Sequence, residues 1–207
     1  MEINNNPIME EQILEVAEKL FLEKGFAMTS TTEIAKHVGC NQALIHYYFR
    51  TKDNLFNTIF EHKFKKFFVS IFELKNMSDL NFNDKLKFII ESHFDILRAN
   101  PKIPALILNE LSRKPDQLSI LREKLFPLAS QFLTELDDEL QQEIKLGRVR
   151  NILLPDLIIS IISLNITVFI MLPVAENLLQ INDVTKEFMI QQRRAENVDF
   201  VLKSLRP

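Results

Sequence analysis

Glycine is scarce in this chain of 207 residues, which has only three, and alternating runs of β-branched residues are few as well. This scarcity argues against β architectures and predicts an all-α protein. The single cysteine, Cys40, excludes an intrachain disulfide framework and is typical of a protein in a reducing cytosol. The N-terminus is polar and acidic, so we expect no secretory signal and a cytoplasmic location.

An excess of positive charge is also missing, since the chain carries a formal net charge of −3 at pH 7. Any surface that binds nucleic acid must therefore be local. Between Lys24 and Lys52 there are four basic side chains and one acidic side chain, Glu33, whereas the preceding segment is acidic. A positive footprint of this size predicts that tight binding to DNA needs two copies of the module.

The stretch from Thr29 to Phe56 is typical of two short helices that are joined by a turn and followed by a longer helix. Ser30 and Glu33 have the spacing of a capping box at the start of the first helix. Gly39 stands where a left-handed residue is favoured after its end. One face of this helix is apolar and consists of Ile34, Ala35 and Val38.

The second of these helices is predicted from Gln42 to Phe49, with Ile45 and Phe49 four residues apart on its buried face. Planar polar and aromatic groups occupy the opposite face: Asn41, Gln42, His46, Tyr47 and Tyr48. The two tyrosines are the only ones in the chain, which has seventeen phenylalanines. Amide, imidazole and phenol groups on one helical face suit the major groove of DNA, so we predict a DNA-binding helix-turn-helix.

Hydrophobic periodicity predicts nine or ten helices in all. Besides the two short helices, the predicted helices are Glu10–Lys24, Lys52 to about Lys75, Asp84–Arg98, Ala105–Ser112, Gln117–Leu146, Asp156–Leu172 and Val184–Ser204. Pro127 is expected to kink or break the helix around it. The helix that starts at Lys52 is too apolar along its far half to serve the N-terminal module alone, and it is predicted to connect two cores. We assign residues 8–52 to DNA binding and residues 53–207 to ligand binding and dimerisation.

The helix around Leu157–Leu172 is apolar on nearly all sides. Sixteen residues span about 24 Å, which is less than the ~30 Å hydrocarbon core of a membrane, and Pro173 follows. A buried helix is therefore favoured over a membrane span. One face can pack within the subunit and the other needs cover, so this helix and the last one are predicted to form a four-helix interface in a homodimer.

Residues 10–56 resemble the tetracycline-repressor (TetR) family. The matching positions are Gly25-Phe26, Thr29, Ile34-Ala35, Gly39, Ile45, Tyr47, Phe49, Lys52 and Leu55-Phe56. The resemblance implies a dimeric transcriptional regulator, usually a repressor, that a small molecule releases from a palindromic operator. It places Gln42, Ala43 and His46 at base edges, and Thr29, Asn41, Tyr47, Tyr48 and Lys52 at phosphates. His46 and Tyr48 depart from the family pattern, which has Tyr and His at these two positions.

A ligand cavity is predicted between the long helix and the helices after it. Its candidate wall residues are Phe60, Phe64, Phe67, Phe88, His93, Phe94, Leu108, Leu111, Phe132, Asn165 and Phe169. Phenylalanine stripes are also typical of plain core, and His93 can be a satisfied core or surface histidine. The implied ligand is apolar or amphipathic: an aromatic compound, a drug-like compound or an acyl chain.

The sequence gives no support for catalysis, a metal site or a cofactor. It has no glycine-rich phosphate loop, no nucleophile elbow and no spaced cluster of His, Cys and carboxylates. Cys40 lies beside the start of the second short helix, whose dipole can lower a thiol pKa, so a redox or electrophile switch is one interpretation. Packing as a small apolar side chain is the other. The remaining rival is a helical binding protein whose N-terminal module does not read DNA.

Overall fold

The computed structural model describes residues 7–72, 80–113 and 117–207, and within those residues it is all α-helical. The nine helices of the described part are α1 (Pro7–Lys24), α2 (Thr31–Val38), α3 (Gln42–Phe49), α4 (Lys52–Phe72), α5 (Phe82–Ala99), α6 (Ile103–Arg113), α7 (Gln117–Lys145), α8 (Leu154–Leu179) and α9 (Asp183–Ser204). The predicted fold class is confirmed. The part of the predicted fourth helix beyond Phe72 lies outside the described residues.

The chain divides into two compact units: residues 1–65 with 106–125, and residues 66–105 with 126–207. The core of the first unit is formed by apolar side chains of α1 to α4, and its centre is aromatic. The ring of Phe26 packs 5.3 Å from that of Phe21 and 5.2 Å from that of Phe56, centroid to centroid. Because Leu55, Phe56 and Ile59 are buried in this core, α4 begins inside the first unit, and the functional boundary after residue 52 stays a prediction.

The second unit is built on α5, α8 and α9, which pack on one another, together with much of α7. Its buried residues form two clusters, one around Leu86, Ile90 and Leu140 and the other around Phe94 and Phe169. Salt bridges on the surface also join α5 to α9. In the clearest of them, the guanidinium of Arg194 donates two hydrogen bonds to the carboxylate of Asp95, at 2.8 and 2.7 Å.

α8 runs past the predicted end, because Pro173 lies inside the helix and does not terminate it. The missing N–H of Pro173 removes one helical hydrogen bond. Four residues further on, the side-chain amide of Asn177 donates to the carbonyl oxygen of Pro173 at 2.7 Å. The helix ends at Leu179, after which Gln180 adopts a left-handed conformation with φ 51°.

α8 is the one helix in the described part of the chain that is long and apolar enough to cross a membrane, with a mean hydropathy of 2.5. Length and composition alone are weak evidence, since the core helices of globular proteins pass the same test. One face is buried in the second unit: Leu154, Leu157, Ile161, Asn165, Phe169 and Leu172. The opposite face is exposed in the single chain, so burial within the subunit is confirmed for one face, and cover of the other face by a second copy stays a prediction.

Candidate nucleic-acid interface

The start and end of α2 are fixed by the residues that the sequence predicts. The hydroxyl oxygen of Ser30 accepts a hydrogen bond from the backbone N–H of Glu33 at 3.1 Å, which caps the helix. Gly39 adopts φ 80°, and the N–H groups of Gly39 and Cys40 both donate to the carbonyl oxygen of Ala35. A side chain at residue 39 is disfavoured in this left-handed conformation. The predicted turn between the two short helices is therefore confirmed.

α3 has the predicted bounds, and its register is set by two buried residues, Ile45 and Phe49. The side-chain oxygen of Asn41 caps the helix by accepting from the N–H of Leu44 at 2.8 Å. The side chains predicted to meet base edges, Gln42, Ala43 and His46, are all exposed, and so is Tyr47. Tyr48 is half-buried against the first core. A rigidly anchored helix thus presents a polar face of about two turns to solvent.

Gln42 is held in place by α2 in the free chain. Its side-chain N–H donates to the hydroxyl of Thr31 at 2.9 Å, and its side-chain oxygen accepts from the hydroxyl of Thr32 at 3.1 Å. Both hydrogen bonds are exposed, so water or a base edge can replace either of them at little cost. These contacts orient the amide that is predicted to bind adenine and tie the first residue of α3 to the first turn of α2.

In the free chain Thr29 does not offer its hydroxyl to solvent, and the phosphate contact implied by the resemblance stays a prediction. The residue is 1% exposed. Its hydroxyl lies 2.9 Å from the carbonyl oxygen of Gly25 and 3.3 Å from that of Leu20, at the end of α1. A buried hydroxyl with acceptors of this kind stabilises the turn between α1 and α2. Thr29 therefore shapes the turn that leads into α2.

Lys52 also points inward in the free chain. Its ammonium group donates to the carbonyl oxygens of Phe26 and Thr29, at 2.8 Å each. The same nitrogen lies 4.2 Å from the centroid of the Phe26 ring, within the range of a cation–π interaction. The side chain is half-buried. In the free chain its positive charge therefore lies at the turn before α2, and the phosphate contact implied by the resemblance stays a prediction.

A groove of about 410 Å³ in the first unit is lined by the segment that leads into α2, by α3 and by the residues that follow α3, Lys52 among them. Polar groups that can donate hydrogen bonds line it, among them Ser30, Thr31, His46, Arg50 and Thr51. Arg50 ends α3 in a conformation with φ 63°, while its N–H donates to the carbonyl oxygen of His46 at 2.9 Å. In the sequence, Arg50 stands out only as one of the four basic residues of this segment. Its position directly after α3 is the signal that would have identified it.

Glu33 is the one acidic residue of the segment between Lys24 and Lys52, and it is paired. The ammonium of Lys24 donates a hydrogen bond to its carboxylate, which lowers the pKa of the Glu33 side chain. The positive charge of Lys24 thus offsets the negative charge of Glu33 on this surface. The exposed basic groups of the segment, such as Lys36 and Arg50, can therefore act on an anion with less opposition.

The thiol of Cys40 is half-buried and packs against the first core. Burial raises its pKa, so the helix dipole does not produce a reactive thiolate here. The geometry favours a small apolar packing role over a redox or electrophile switch.

The predicted ligand contacts are divided between the two units. Phe60 and Leu108 belong to the first unit, and the side chains of Phe64, Phe67 and Leu111 lie outside the described residues. The remaining six belong to the second unit: Phe88, His93, Phe94, Phe132, Asn165 and Phe169. Phe94 and Phe169 are buried and pack with ring centroids 5.1 Å apart. Whether these residues bind a ligand stays a prediction.

Asn165 is the centre of a polar network in the second unit, and it is fully buried. Its side-chain nitrogen donates to the carbonyl oxygen of Ile90 at 2.9 Å and lies 3.1 Å from Nδ1 of His93. Its side-chain oxygen accepts from the amide of Asn197, also buried, at 2.9 Å. Both ends of the Asn165 amide are thus satisfied within the protein, as is required for a buried polar group.

His93 is neutral in this network. Burial lowers its pKa to about 4 from an ordinary value near 6.5. Because Nδ1 accepts the hydrogen bond from Asn165, the proton of the neutral ring resides on Nε2. Among the described residues, His, Cys, Asp and Glu form no group of three or more that could hold a metal ion. His93 is therefore a hydrogen-bonding group of the core in this state.

Comparison with known proteins agrees with this geometry. Residues 13–59 match the family model for bacterial regulatory proteins of the tetR family. The matched region contains all of α2 and α3 and the residues that cap and anchor them. The chain is also 25% identical to the fatty acid metabolism regulator protein of Bacillus subtilis over 139 residues, which are 67% of this chain and 70% of that protein.

Solved structures resemble the whole chain. The transcriptional regulator FadR from Bacillus subtilis, crystallised in complex with stearoyl-CoA, superposes with a TM-score of 0.67 at 19% identity and covers 94% of this chain and 98% of its own. A bacterial regulatory protein of the tetR family from Rhodococcus RHA1 gives a TM-score of 0.75 at 17% identity and covers 97% of this chain and 98% of its own. The likeness in fold thus extends through α9.

Proposed function

Because the chain is a member of the tetR family of bacterial regulatory proteins, we propose that it is a cytoplasmic transcriptional repressor that binds a palindromic operator as a homodimer. A small amphipathic ligand releases it from the DNA. One observation carries this proposal: α3 is anchored by Ile45 and Phe49 and turns the side chains of Gln42, His46 and Tyr47 to solvent. The relatives of the chain are regulators, and no enzymatic activity is proposed.

The exposed face of α3 supplies chemistry for reading DNA. The amide of Gln42 can bond adenine at two points, and the methyl group of Ala43 fits the methyl group of thymine. His46, one turn further on, can reach a base edge on the same face. Asn41, Tyr47 and Tyr48 flank this row and are assigned to phosphates, which fix the register of the helix on the duplex.

The dimer is supported by apolar surface on the second unit. Large apolar side chains that are more than 40% exposed lie along α8 and α9: Ile159, Ile162, Met171, Val174, Leu178, Leu179, Val184, Phe188 and Phe200. Ile159, Met171 and Phe200 line one groove there, and exposed apolar side chains that lie together on a monomer mark an interaction site. Pairing α8 and α9 with the same helices of a second copy covers it. Two recognition helices about one DNA turn apart can then read a palindrome.

The ligand class we propose is a long-chain acyl thioester of coenzyme A. The relative with 25% identity over two thirds of the chain is a regulator of fatty acid metabolism, and the structure that superposes over 94% of the chain holds stearoyl-CoA. Aromatic and aliphatic candidates in the second unit, such as Phe88 and Phe132, suit an acyl chain. The ligand releases DNA if it binds more tightly to the conformation that does not fit the operator.

Replacing Tyr47 with alanine tests the DNA-reading face. Tyr47 is 41% exposed, so the substitution removes the phenol without opening the core. We expect affinity for DNA selected from random sequence by the wild-type chain to fall by more than about tenfold, the loss of one good contact. Gel shifts measure the affinity, and thermal unfolding checks that the variant is folded. A folded variant with wild-type affinity would contradict the assignment.

Stearoyl-CoA tests the proposed ligand class. It should release the selected DNA at concentrations where coenzyme A and free stearate, added separately, do not, because the site has to recognise both the chain and the head group. Fluorescence anisotropy of labelled DNA measures release, and a titration in increasing salt checks the binding itself. Affinity that falls steeply with salt confirms a DNA-binding protein. A chain that binds stearoyl-CoA but no DNA would instead favour the helical binding protein without a DNA-reading function.

A further inference from the structure

We infer that Lys52 is a positioning residue that ties the beginning of α4 to the turn before α2 and thereby sets the position of Gln42. This inference rests on the proposed ligand-controlled DNA binding. It begins from the two hydrogen bonds that the ammonium of Lys52 donates to the carbonyl oxygens of Phe26 and Thr29, both 2.8 Å long. Hydrogen bonds from a charged donor are roughly twice as strong as those between neutral groups.

The turn between α1 and α2 is held by the hydroxyl of Thr29 and by these contacts from α4, since one of its own backbone hydrogen bonds is long. The N–H of Thr29 lies 3.4 Å from the carbonyl oxygen of Phe26, near the limit for a hydrogen bond. α4 holds the turn at two points, through Lys52 and through the ring of Phe56, which packs edge-on against Phe26 at 5.2 Å. A displacement of the start of α4 therefore moves the turn.

The turn between α1 and α2 also sets the position at which α2 begins. Ser30 directly follows Thr29 and caps the helix, so the position of the turn determines where α2 begins. The first turn of α2 then holds the side chain of Gln42 through Thr31 and Thr32. A continuous series of contacts thus connects Lys52 on α4 with the amide on α3 that is assigned to a base edge.

α4 is the helix through which the chain passes from the first unit to the second, since the division falls after residue 65 within Lys52–Phe72. A ligand bound by the second unit can displace this helix. With Lys52 in place, the displacement reaches Gln42. Without it, α4 can shift while the turn and α2 stay behind, and the ligand loses part of its control over DNA binding.

Lys52→Met tests this inference, because methionine keeps much of the apolar stem and removes the charged donor. Lys36→Met is the matched control, since it removes one positive charge from the exposed surface of α2. Affinity for the selected DNA is measured across a salt series, with and without stearoyl-CoA. For Lys52→Met we expect binding about tenfold weaker at every salt concentration, with the wild-type dependence on salt. We call the affinity for DNA without stearoyl-CoA, divided by the affinity with it, the stearoyl-CoA ratio. This ratio should fall toward one in Lys52→Met and keep its wild-type value in Lys36→Met.

A phosphate contact by Lys52 predicts a different result. In that case the slope of log affinity against log salt becomes shallower by about one for Lys52→Met, and the stearoyl-CoA ratio is unchanged. Either a shallower slope or an unchanged ratio overturns the inference. If Lys52 only stabilises the fold, Lys52→Met lowers the unfolding temperature and leaves the stearoyl-CoA ratio at its wild-type value. A ratio that falls toward one therefore excludes a purely structural role.

Thr31→Val provides a second variant that does not depend on the folding of Lys52→Met. It removes the hydroxyl that holds Gln42 and should also lower the stearoyl-CoA ratio. If Lys52 and Thr31 act through one series of contacts, the double variant lowers the stearoyl-CoA ratio no further than the more affected single variant does. Additive losses would overturn the inference.

If stearoyl-CoA does not release the wild-type chain from DNA, the proposed ligand class is wrong. The positioning role of Lys52 is then tested by hydrogen exchange. Amides of residues 26–33 should exchange at least about tenfold faster in Lys52→Met than in Lys36→Met. Equal exchange rates in the two variants would overturn the positioning role.

Discussion

Replacing Phe200 with glutamate should convert the protein into monomers and weaken its binding to a palindromic operator by at least about a hundredfold. Phe200 is 63% exposed in the single chain and lines a groove of about 690 Å³ between α8 and α9. In the proposed dimer this groove is covered by a second copy. A carboxylate placed there loses its water without gaining a partner, which is costly enough to prevent association.

The large loss of DNA affinity follows from linkage of the two recognition helices. Once one copy of a dimer is bound, the other meets its half-site at a high effective concentration, and this advantage disappears in a monomer. Analytical ultracentrifugation measures the oligomeric state, and gel shifts measure affinity for the full palindrome and for a single half-site. The Phe200→Glu variant should bind both DNA fragments with similar, weak affinity.

Leu146→Glu is the matched control for this experiment. Leu146 is 53% exposed at the C-terminal end of α7, outside the α8–α9 surface, so the same change in charge and side-chain polarity should leave the dimer intact. If Phe200→Glu remains dimeric at micromolar concentration, α8 and α9 do not form the interface. If it is monomeric and still binds the palindrome tightly, the operator is not read by paired helices.

The helices of the first unit were predictable because local signals define them. Ser30 and Gly39 mark the start and the end of α2 through a side-chain cap and a left-handed backbone, as the sequence indicates. Asn41, which was predicted only on the polar face of α3, also caps the start of that helix. The end of α8 was not predictable in the same way. Pro173 is a strong stop signal by itself, yet a helix packed along one whole face retains enough stabilisation to continue through it.

For the site residues, the sequence predicts exposure but not every hydrogen-bond partner. Periodicity places Gln42, His46 and Tyr47 on an exposed face, and the structure agrees. Spacing does not reveal that the hydroxyl of Thr29 and the ammonium of Lys52 are directed at backbone carbonyls of the turn. Those acceptors are supplied by tertiary contacts, up to 26 residues away along the chain. The resemblance to a family gave their positions without giving their hydrogen-bond partners.

Replacing Asn165 with leucine should destabilise the protein by about 3 kcal/mol, although leucine has the same branched side-chain shape and is apolar. The substitution leaves the amide of Asn197 without its acceptor and Nδ1 of His93 without its donor, in a region where both Asn165 and Asn197 are at most 3% exposed. Each unsatisfied buried group costs about 1–3 kcal/mol. Urea unfolding at a fixed protein concentration measures the loss. Gln192→Leu removes an amide from an exposed pair with Glu196 and should change stability by less than about 0.5 kcal/mol.

The Asn165→Asp variant tests whether the protonation of His93 is coupled to the side chain at residue 165. In the wild type the pKa of His93 is about 4, below its unfolded value, so its contribution to stability is present above pH 6.5 and is lost as the pH falls toward 4. A carboxylate at residue 165 accepts from Asn197 and favours a protonated His93, which raises the histidine pKa. The free energy of unfolding of Asn165→Asp, relative to that of Asn165→Leu, should therefore increase as the pH is lowered from 7.5 to 5. A difference between the two variants that is independent of pH over this range would show that His93 does not titrate against residue 165, and the network as described would be wrong.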